Sequence, residues 1–308
     1  MVGSSNLDLV VKTPRIPVVG ETILGGDFMM VPGGKGANQA VAAAKLGAHV
    51  CLVAKLGSDV FGQQSLDNLH KAGVDTKYVT RTRDAPSGVA LIAVDDAGNN
   101  VIVVAPGANR RLSPEDVKKA KFDIASSAAV VAQLEIPLET VEFAARTAHS
   151  SSVPFILDPA PAQKLSPGLL RVTDVLKPNE TEARILTGIH VKDQRSARRA
   201  AERLLETGVK TVILTMGAKG FLFVDSSGSE FVPAIKVRAV DATAAGDAFT
   251  AGFAFGLARG QALFDAALFA NHVAALSVTK MGAQSSMPTM KEVEGLIKKH
   301  KDNLRKRQ

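Results

Sequence analysis

Val240-Asp241-Ala242-Thr243-Ala244-Ala245-Gly246-Asp247-Ala248-Phe249 is the stretch on which the fold turns. Small residues run directly into an apolar helix pattern over Gly246–Ala258, so consecutive backbone N–H groups collect at a helix amino terminus. Unpaired N–H groups there favour negative charge, including charge that develops during a reaction. Asp247 stands at that terminus, where a carboxylate can take a proton from an attacking hydroxyl. A helix-capping role is the simpler alternative, but it leaves Ala244-Ala245-Gly246 without a purpose.

About 210 residues earlier, Gly33-Gly34-Lys35-Gly36-Ala37-Asn38 also opens a helix, expected over Gly36–Leu46. Glycines before a helix permit close backbone approach to a ligand. The spacing is not that of a P-loop, and no Ser or Thr follows the lysine. Lys35 and Asn38 can hydrogen-bond a polyol.

Between these clusters, short apolar runs alternate with amphipathic stretches. Strands are expected at Val50–Lys55, Ala128–Leu134, Phe155–Leu157, Asp174–Leu176, Thr211–Thr215 and Gly220–Val224. Helices are expected at Gly62–Ala72, Pro114–Lys121, Leu138–His149, Asn179–Leu186, Arg195–Leu205, Leu263–Met281 and Thr289–Lys299. Continuously apolar strands imply a sheet buried on both faces, so the fold class is α/β with a doubly wound, mostly parallel sheet flanked by helices. Two regions break the alternation. Gly88–Val94 and Asn100–Ala105 form a hairpin pattern around Asp95–Asn99, and Leu9–Lys12 and Glu21–Gly26 are further strand patterns. Together, within about residues 9–33 and 87–106, they are expected to form a small β-sheet lid over a pocket, in a single domain covering 1–308.

Composition narrows the function classes. Hydrophobic residues make up 46% and charged residues 22% of 308 residues, as in an ordinary globular chain. Cys51 is the sole cysteine, which excludes disulfide frameworks and multi-thiolate metal sites. The six histidines show no metal-ligand spacing. The run 298–308 carries most of the net charge of +7 in a basic C-terminal tail, and Trp is absent with Tyr78 the one tyrosine. Neither nucleic-acid binding nor membrane insertion is expected. With no signal-peptide pattern at the amino terminus, a soluble, cytoplasmic protein is expected.

The two glycine-rich clusters resemble the two signatures of the PfkB carbohydrate kinase family. The match extends in collinear order from Gly3 to about Pro288, through Asn6-Leu7-Asp8, Pro106–Asn109, Gln133-Leu134-Glu135, Asp158–Ala162 and Gly282–Ser286. The resemblance is strongest to family members that phosphorylate ribose. It implies ATP-dependent phosphorylation of D-ribose at the 5-hydroxyl, with Asp247 as general base and the backbone of Ala244, Ala245 and Gly246 as anion hole. Asn6, Asp8, Gly34, Lys35, Gly36, Ala37, Asn38 and Glu135 would bind the sugar. Asn6 and Asp8 are expected at the end of a first strand that is short here. The nucleotide would lie against Asn179, Thr215, Met216, Gly217, Ala218, Lys219, Gly220, Gly246, Asp247 and Asn271. Asn179 and Glu182, at i and i+3 on one helix face, would hold Mg²⁺ indirectly. Asp241, Thr243, Ser277, Lys280, Gly282 and Ser286 match positions that hold an activating K⁺. Lid strands with open edges are expected to pair in a homodimer. Kinases of fructose, 2-keto-3-deoxygluconate, deoxyribose or nucleosides are the alternatives within the family, and a non-catalytic sugar sensor is the alternative outside enzymology.

Overall fold

In the computed structural model, which describes residues 1–305, the short apolar runs become the central strands of the main sheet. Twelve strands form among the described residues. β1 (Asn6–Thr13), β2 (Phe28–Gly33), β5 (Gly88–Asp95) and β6 (Asn100–Ala105) make one sheet. β7 (Val130–Ala132), β8 (Phe155–Leu157), β9 (Val175–Leu176), β10 (Thr211–Thr215), β11 (Gly220–Asp225) and β12 (Gly228–Pro233) make a second, and β3 (Cys51–Gly57) pairs with β4 (Asp75–Thr82). β7 to β10 run parallel, while β11 and β12 turn antiparallel at one edge. Val2 pairs in parallel with both Val53 and Ala132, and its N–H donates to the Val131 carbonyl at 2.9 Å. The first residues thus join β3 to β7, so a single layer runs from β12 to β4.

Both faces of this layer are apolar, as the side-chain period of two requires. Phe155, Leu157, Val212, Leu214, Leu222 and Val224 pack into the core on one face. Their neighbours Ile156, Ile213, Phe221 and Phe223 pack on the other, against Phe249 and Phe253. Those two phenylalanines belong to the helix Ala245–Ala258, which is apolar nearly all round and correspondingly buried. Gly252 lets it approach the helix Leu263–Ser277, since a Cβ there would lie 2.9 Å from Val273 Cγ2.

The small sheet has the order β2-β1-β5-β6, with β1 and β5 parallel and the outer pairs antiparallel. Three sequence expectations shift here. Glu21–Gly26 is not a strand. The strand is Phe28–Gly33, whose apolar Phe28-Met29-Met30-Val31 pairs with β1, while the Gly26 N–H bonds the Lys12 carbonyl at the connection. Asn6 and Asp8 do not end a main-sheet strand but begin β1 of the small sheet, because the chain leaves the main layer directly after Gly3. The helix expected to reach Met281 stops at Ser277. The last helix, Met290–Arg305, takes in much of the basic run, and residues 306–308 lie outside the described residues. No helix among the described residues is long and apolar enough to cross a membrane.

Candidate active site

The carboxyl ends of the parallel strands, one face of the small sheet and the amino terminus of Ala245–Ala258 enclose a cleft of about 640 Å³. Ligands of open α/β sheets lie at this edge.

At one end, Asn6 and Asp8 project from the start of β1, opposite Glu135. Asn6 is oriented by Asn109, whose Nδ2 donates to its Oδ1 at 2.7 Å and whose own Oδ1 accepts from the Ser5 N–H at 2.9 Å. Glu135 Oε2 accepts from the Ser4 hydroxyl and, at 3.0 Å, from the Lys35 backbone N–H. Burial, reinforced by Glu135, pushes Asp8 up to about 6. The Lys35 ammonium has no hydrogen-bond or ion-pair partner in the described structure. Burial alone would favour its neutral form, but Asp247, Asp158, Glu135 and Glu182 together hold it charged. Gly36 and Ala37 do not border the cleft. They pack beneath it, where the Ala37 N–H donates to the Ser4 carbonyl at 2.8 Å and a Cβ on Gly36 would strike the Gly3–Ser4 backbone at 2.6 Å.

At the centre, Asp247 is 5% exposed. Its Oδ2 accepts from Asn38 Nδ2 at 3.0 Å and its Oδ1 from Gln39 Nε2 at 2.9 Å. Burial raises its pKa, against the opposing pull of Lys35. A raised carboxylate pKa makes a stronger base. Ala244 precedes the helix with φ 58°, a left-handed conformation rare for a residue with a Cβ. Such a turn aims successive N–H groups into one concavity. The Ala245 N–H is not among the free ones, because it bonds the Ala242 carbonyl at 3.2 Å. The Gly246 and Asp247 N–H groups have no protein acceptor in the described structure, so the free amides at this turn include that of Asp247 and not that of Ala245.

Toward the other end, Asn179 and Glu182 cap the helix Glu180–Thr187 reciprocally. The Glu182 N–H donates to Asn179 Oδ1 at 2.8 Å, and the Asn179 N–H and Nδ2 donate to the two Glu182 oxygens at 2.7 and 2.9 Å. Both border the cleft, and their oxygens retain lone pairs that can accept from the waters of a hydrated ion. Thr215, Gly217, Gly220 and Asn271 also line the cleft, whereas Met216, Ala218 and Lys219 do not. Met216 is buried and Lys219 Nζ pairs with Glu180 at 3.1 Å. Asn271 spends Nδ2 on the Pro233 carbonyl at 2.9 Å.

Asp241 joins two loops behind the turn that carries Ala244 to Asp247. Its carboxylate accepts from the Thr243 N–H and hydroxyl at 2.8 and 2.6 Å and from the Gly282 N–H at 2.8 Å. Burial alone would raise its pKa, and these three donors more than reverse that. Ser277 and Ser286 hydroxyls donate to the Ala274 and Ala283 carbonyls, and Lys280 Nζ pairs with Glu292 at 2.5 Å. Of the six positions expected to hold a monovalent cation, only Thr243 borders the cleft itself.

The cleft is rich in carboxylates: Asp8, Glu135, Asp158, Glu180, Glu182 and Asp247 line it, against two lysines, Lys35 and Lys177. The carboxylates' charge opposes a polyanionic ligand unless a cation accompanies it, and carboxylate and amide oxygens are the donors that a hard ion takes. The framework behind the site escaped the sequence-level assignment. Gln133 Nε2 donates to Gln39 Oε1, Gln39 Nε2 also donates to Asp158 Oδ2 at 2.9 Å, and Thr250 donates to Asp158 Oδ2 at 3.1 Å. The only available signal was the occurrence of Gln133 and Asp158 in stretches already singled out. Ile92, Ile102 and Val104 of the small sheet form an apolar wall that strand patterns alone do not direct toward a site.

A model of the pfkB family carbohydrate kinases matches residues 1–290. The chain belongs to this family. Within it, the chain is 44% identical over 293 residues to a ribokinase of Haemophilus influenzae, covering 95% of each sequence. It is 40% identical over 293 residues to a deoxyribokinase of Salmonella typhimurium, covering 95% of this chain and 96% of the relative. The structure of the Arabidopsis thaliana ribokinase, solved with ribose and ATP, superposes with a TM-score of 0.89 at 32% identity, covering 96% of this chain and 97% of that one. The α/β architecture with its mixed sheets is therefore that of a family of kinases, whose reaction requires ATP and a divalent metal.

Proposed function

We propose that this enzyme transfers the γ-phosphoryl group of ATP to the 5-hydroxyl of D-ribose, giving D-ribose 5-phosphate and ADP. The observation that carries the mechanism is the Asp247 carboxylate. It is buried, held by Asn38 and Gln39, and seated on a helix terminus whose Gly246 and Asp247 N–H groups are unpaired.

Ribose lies between Asp247 and the pair Asp8/Glu135, with Asn6, Gly34, Lys35 and Asn38 completing its polar contacts. Asp247 takes the 5-hydroxyl proton as that oxygen attacks the γ-phosphorus in line. The P–O bond to the β-phosphate breaks and its electron pair leaves with ADP. Helix-terminal amides stabilise the charge on the transferring group. Asn179 and Glu182 would hold Mg²⁺ through water, and the ion supplies charge neutralisation to the phosphates. Thr215, Gly217, Gly220 and Asn271 form the nucleotide end. The small sheet acts as a lid whose closure excludes water from the reaction. The Asp241-linked loops are the seat of an activating K⁺, which would brace the anion-binding turn. Dependence on ATP fits a cytoplasmic location.

The deciding experiment is ADP release with Mg-ATP across ribose, 2-deoxyribose, fructose, 2-keto-3-deoxygluconate and adenosine, each with K⁺ or with Na⁺ alone. Highest kcat/KM on ribose, rising in K⁺, is expected. Preference for 2-deoxyribose would move the chain to the specificity of its Salmonella relative, and no turnover on any acceptor would favour a sensor.

Asp8 sets a pH dependence. Only its carboxylate form accepts two sugar hydroxyls, so with a pKa of about 6 the affinity for ribose should fall roughly tenfold between pH 7 and pH 5. For folding the sign is opposite. The folded-state pKa lies above the unfolded value of 3.8, so the fold is favoured at low pH and loses that contribution as pH rises through about 6. Asp8→Asn should therefore bind ribose weakly, without this pH dependence, yet melt higher than wild type at pH 7. Calorimetric titration and melting curves across this range check both signs.

Exposed apolar side chains that do not border the cleft cluster on the small sheet: Phe28, Met29 and Met30 on β2 and Val101 and Val103 on β6. Covering them with a second copy forms a homodimer through the lid strands. Light scattering should give twice the 32.2 kDa chain mass at micromolar concentration, and a particle of one chain mass would refute the dimer.

A further inference from the structure

Lys177 follows β9 at the carboxyl edge of the sheet and borders the cleft, yet its side chain is only 6% exposed. Its Nζ donates to Asp158 Oδ2 at 3.1 Å and to the Gly246 carbonyl at 3.3 Å. Asp158 is itself fixed by Gln39 and Thr250 through the same oxygen. An ammonium has three N–H donors, and two are spent here on anchors. A Cβ built on Gly246 would meet Lys177 Nζ at 3.3 Å and nothing else within 4 Å. The cation therefore lies against the turn that carries the unpaired Gly246 and Asp247 amides. The buried Lys177–Asp158 pair is poorly explained as a stabiliser, since ion pairs of this kind often contribute nothing net over apolar packing.

We infer that Lys177 is a catalytic residue that presents its third N–H to the terminal phosphate of the nucleotide. This rests on the cleft being the ribose–ATP site. Asp158 and the Gly246 carbonyl hold the ammonium in place, so no reorganisation is needed when charge develops on the transferring group. Lys177 stays protonated throughout, while the 5-hydroxyl proton goes to Asp247 and the leaving electron pair to ADP. A charge-assisted hydrogen bond of this kind distinguishes a nucleoside triphosphate from a diphosphate, because only the former has a phosphate at that point.

The test compares wild type with Lys177→Met, Lys177→Arg and the double variant Lys177→Met/Asp158→Asn, which leaves no unpaired buried carboxylate at Asp158. Calorimetry measures binding of ribose, MgADP and the magnesium complex of β,γ-imido ATP, beside kcat for ADP release. Loss of Lys177 should lower kcat about 100-fold and weaken the imido analogue at least tenfold more than ADP. Ribose affinity should stay within threefold, and arginine should restore at least a tenth of the activity. Equal weakening of ADP and the analogue, a kcat loss below fivefold, or loss of ribose binding in the double variant would each overturn the assignment. If wild type itself fails to phosphorylate ribose, the ribose reading falls, and the ratio of analogue to ADP binding still decides Lys177.

Discussion

Asp247→Asn is expected to lower kcat for ribose phosphorylation on the order of 10³-fold while leaving ribose and nucleotide affinities within a few-fold. The amide has the shape of the carboxylate but cannot take the 5-hydroxyl proton. The pocket tolerates it because Asn38 Oδ1 is buried without a partner. Turning the Asn38 amide pairs that oxygen with the new Nδ2 hydrogens, and Gln39 still donates to the remaining Oδ1. Stability should move the other way from activity. Burial raises the Asp247 pKa in the folded state, so ionising it near neutral pH costs folding free energy, and that cost grows as pH rises through the folded pKa. The variant should therefore melt above wild type at pH 7 and lose this advantage as the pH is lowered. Coupled ADP release and melting curves on one preparation check both. Activity within tenfold of wild type would remove Asp247 as the base.

Gly34→Ala should be severely damaging. Gly34 precedes the helix Lys35–Lys45 with φ 84° and ψ 128°, a conformation that side chains other than hydrogen strongly resist. Its Cβ would stand 2.7 Å from the Asn6 N and 2.8 Å from Ser5 Cα, all backbone. Either the helix or the segment leading to Asn6 and Asp8 must move. A loss of about 2–4 kcal/mol in stability follows from strain and overpacking together. Because the displaced segment carries the proposed sugar contacts, KM for ribose should rise at least 100-fold and KM for ATP much less. Equal effects on both would indicate general unfolding. By contrast, Gly217→Ala meets no atom within 4 Å and isolates the effect of positive φ alone.

The main sheet was legible because its determinants are local. Phe155–Leu157 and Thr211–Thr215 are short β-branched or aromatic runs, and their observed limits match the expected ones. β4 and β12 went unassigned because Asp75–Thr82 and Gly228–Pro233 are polar edge strands, whose partners rather than their own pattern make them strands. Glu21–Gly26 failed for the complementary reason. Its alternation is adequate, but Phe28–Gly33 competes for the same edge of β1 with larger apolar side chains. In the loop between β10 and β11, residue type could not separate Thr215, Gly217 and Gly220, which face the cleft, from Met216, Ala218 and Lys219, which do not. A turn three residues long divides neighbours between ligand and core by backbone direction alone.

Resemblance to a known family implies a kinase, while the residues themselves declare a doubly wound α/β fold with two glycine-rich helix entries and an aspartate at the second. Those features are set by φ preferences, helix ends and hydrophobic period, all of which act within a few residues. Only the tertiary structure decides that Asn38 and Gln39, more than 200 residues from Asp247, hold its carboxylate. It alone seats Lys177 beside Gly246. Hydrogen bonds and buried charges depend on distances of a few ångströms between segments remote in sequence, and those distances exist only once the sheet has brought the strand ends together.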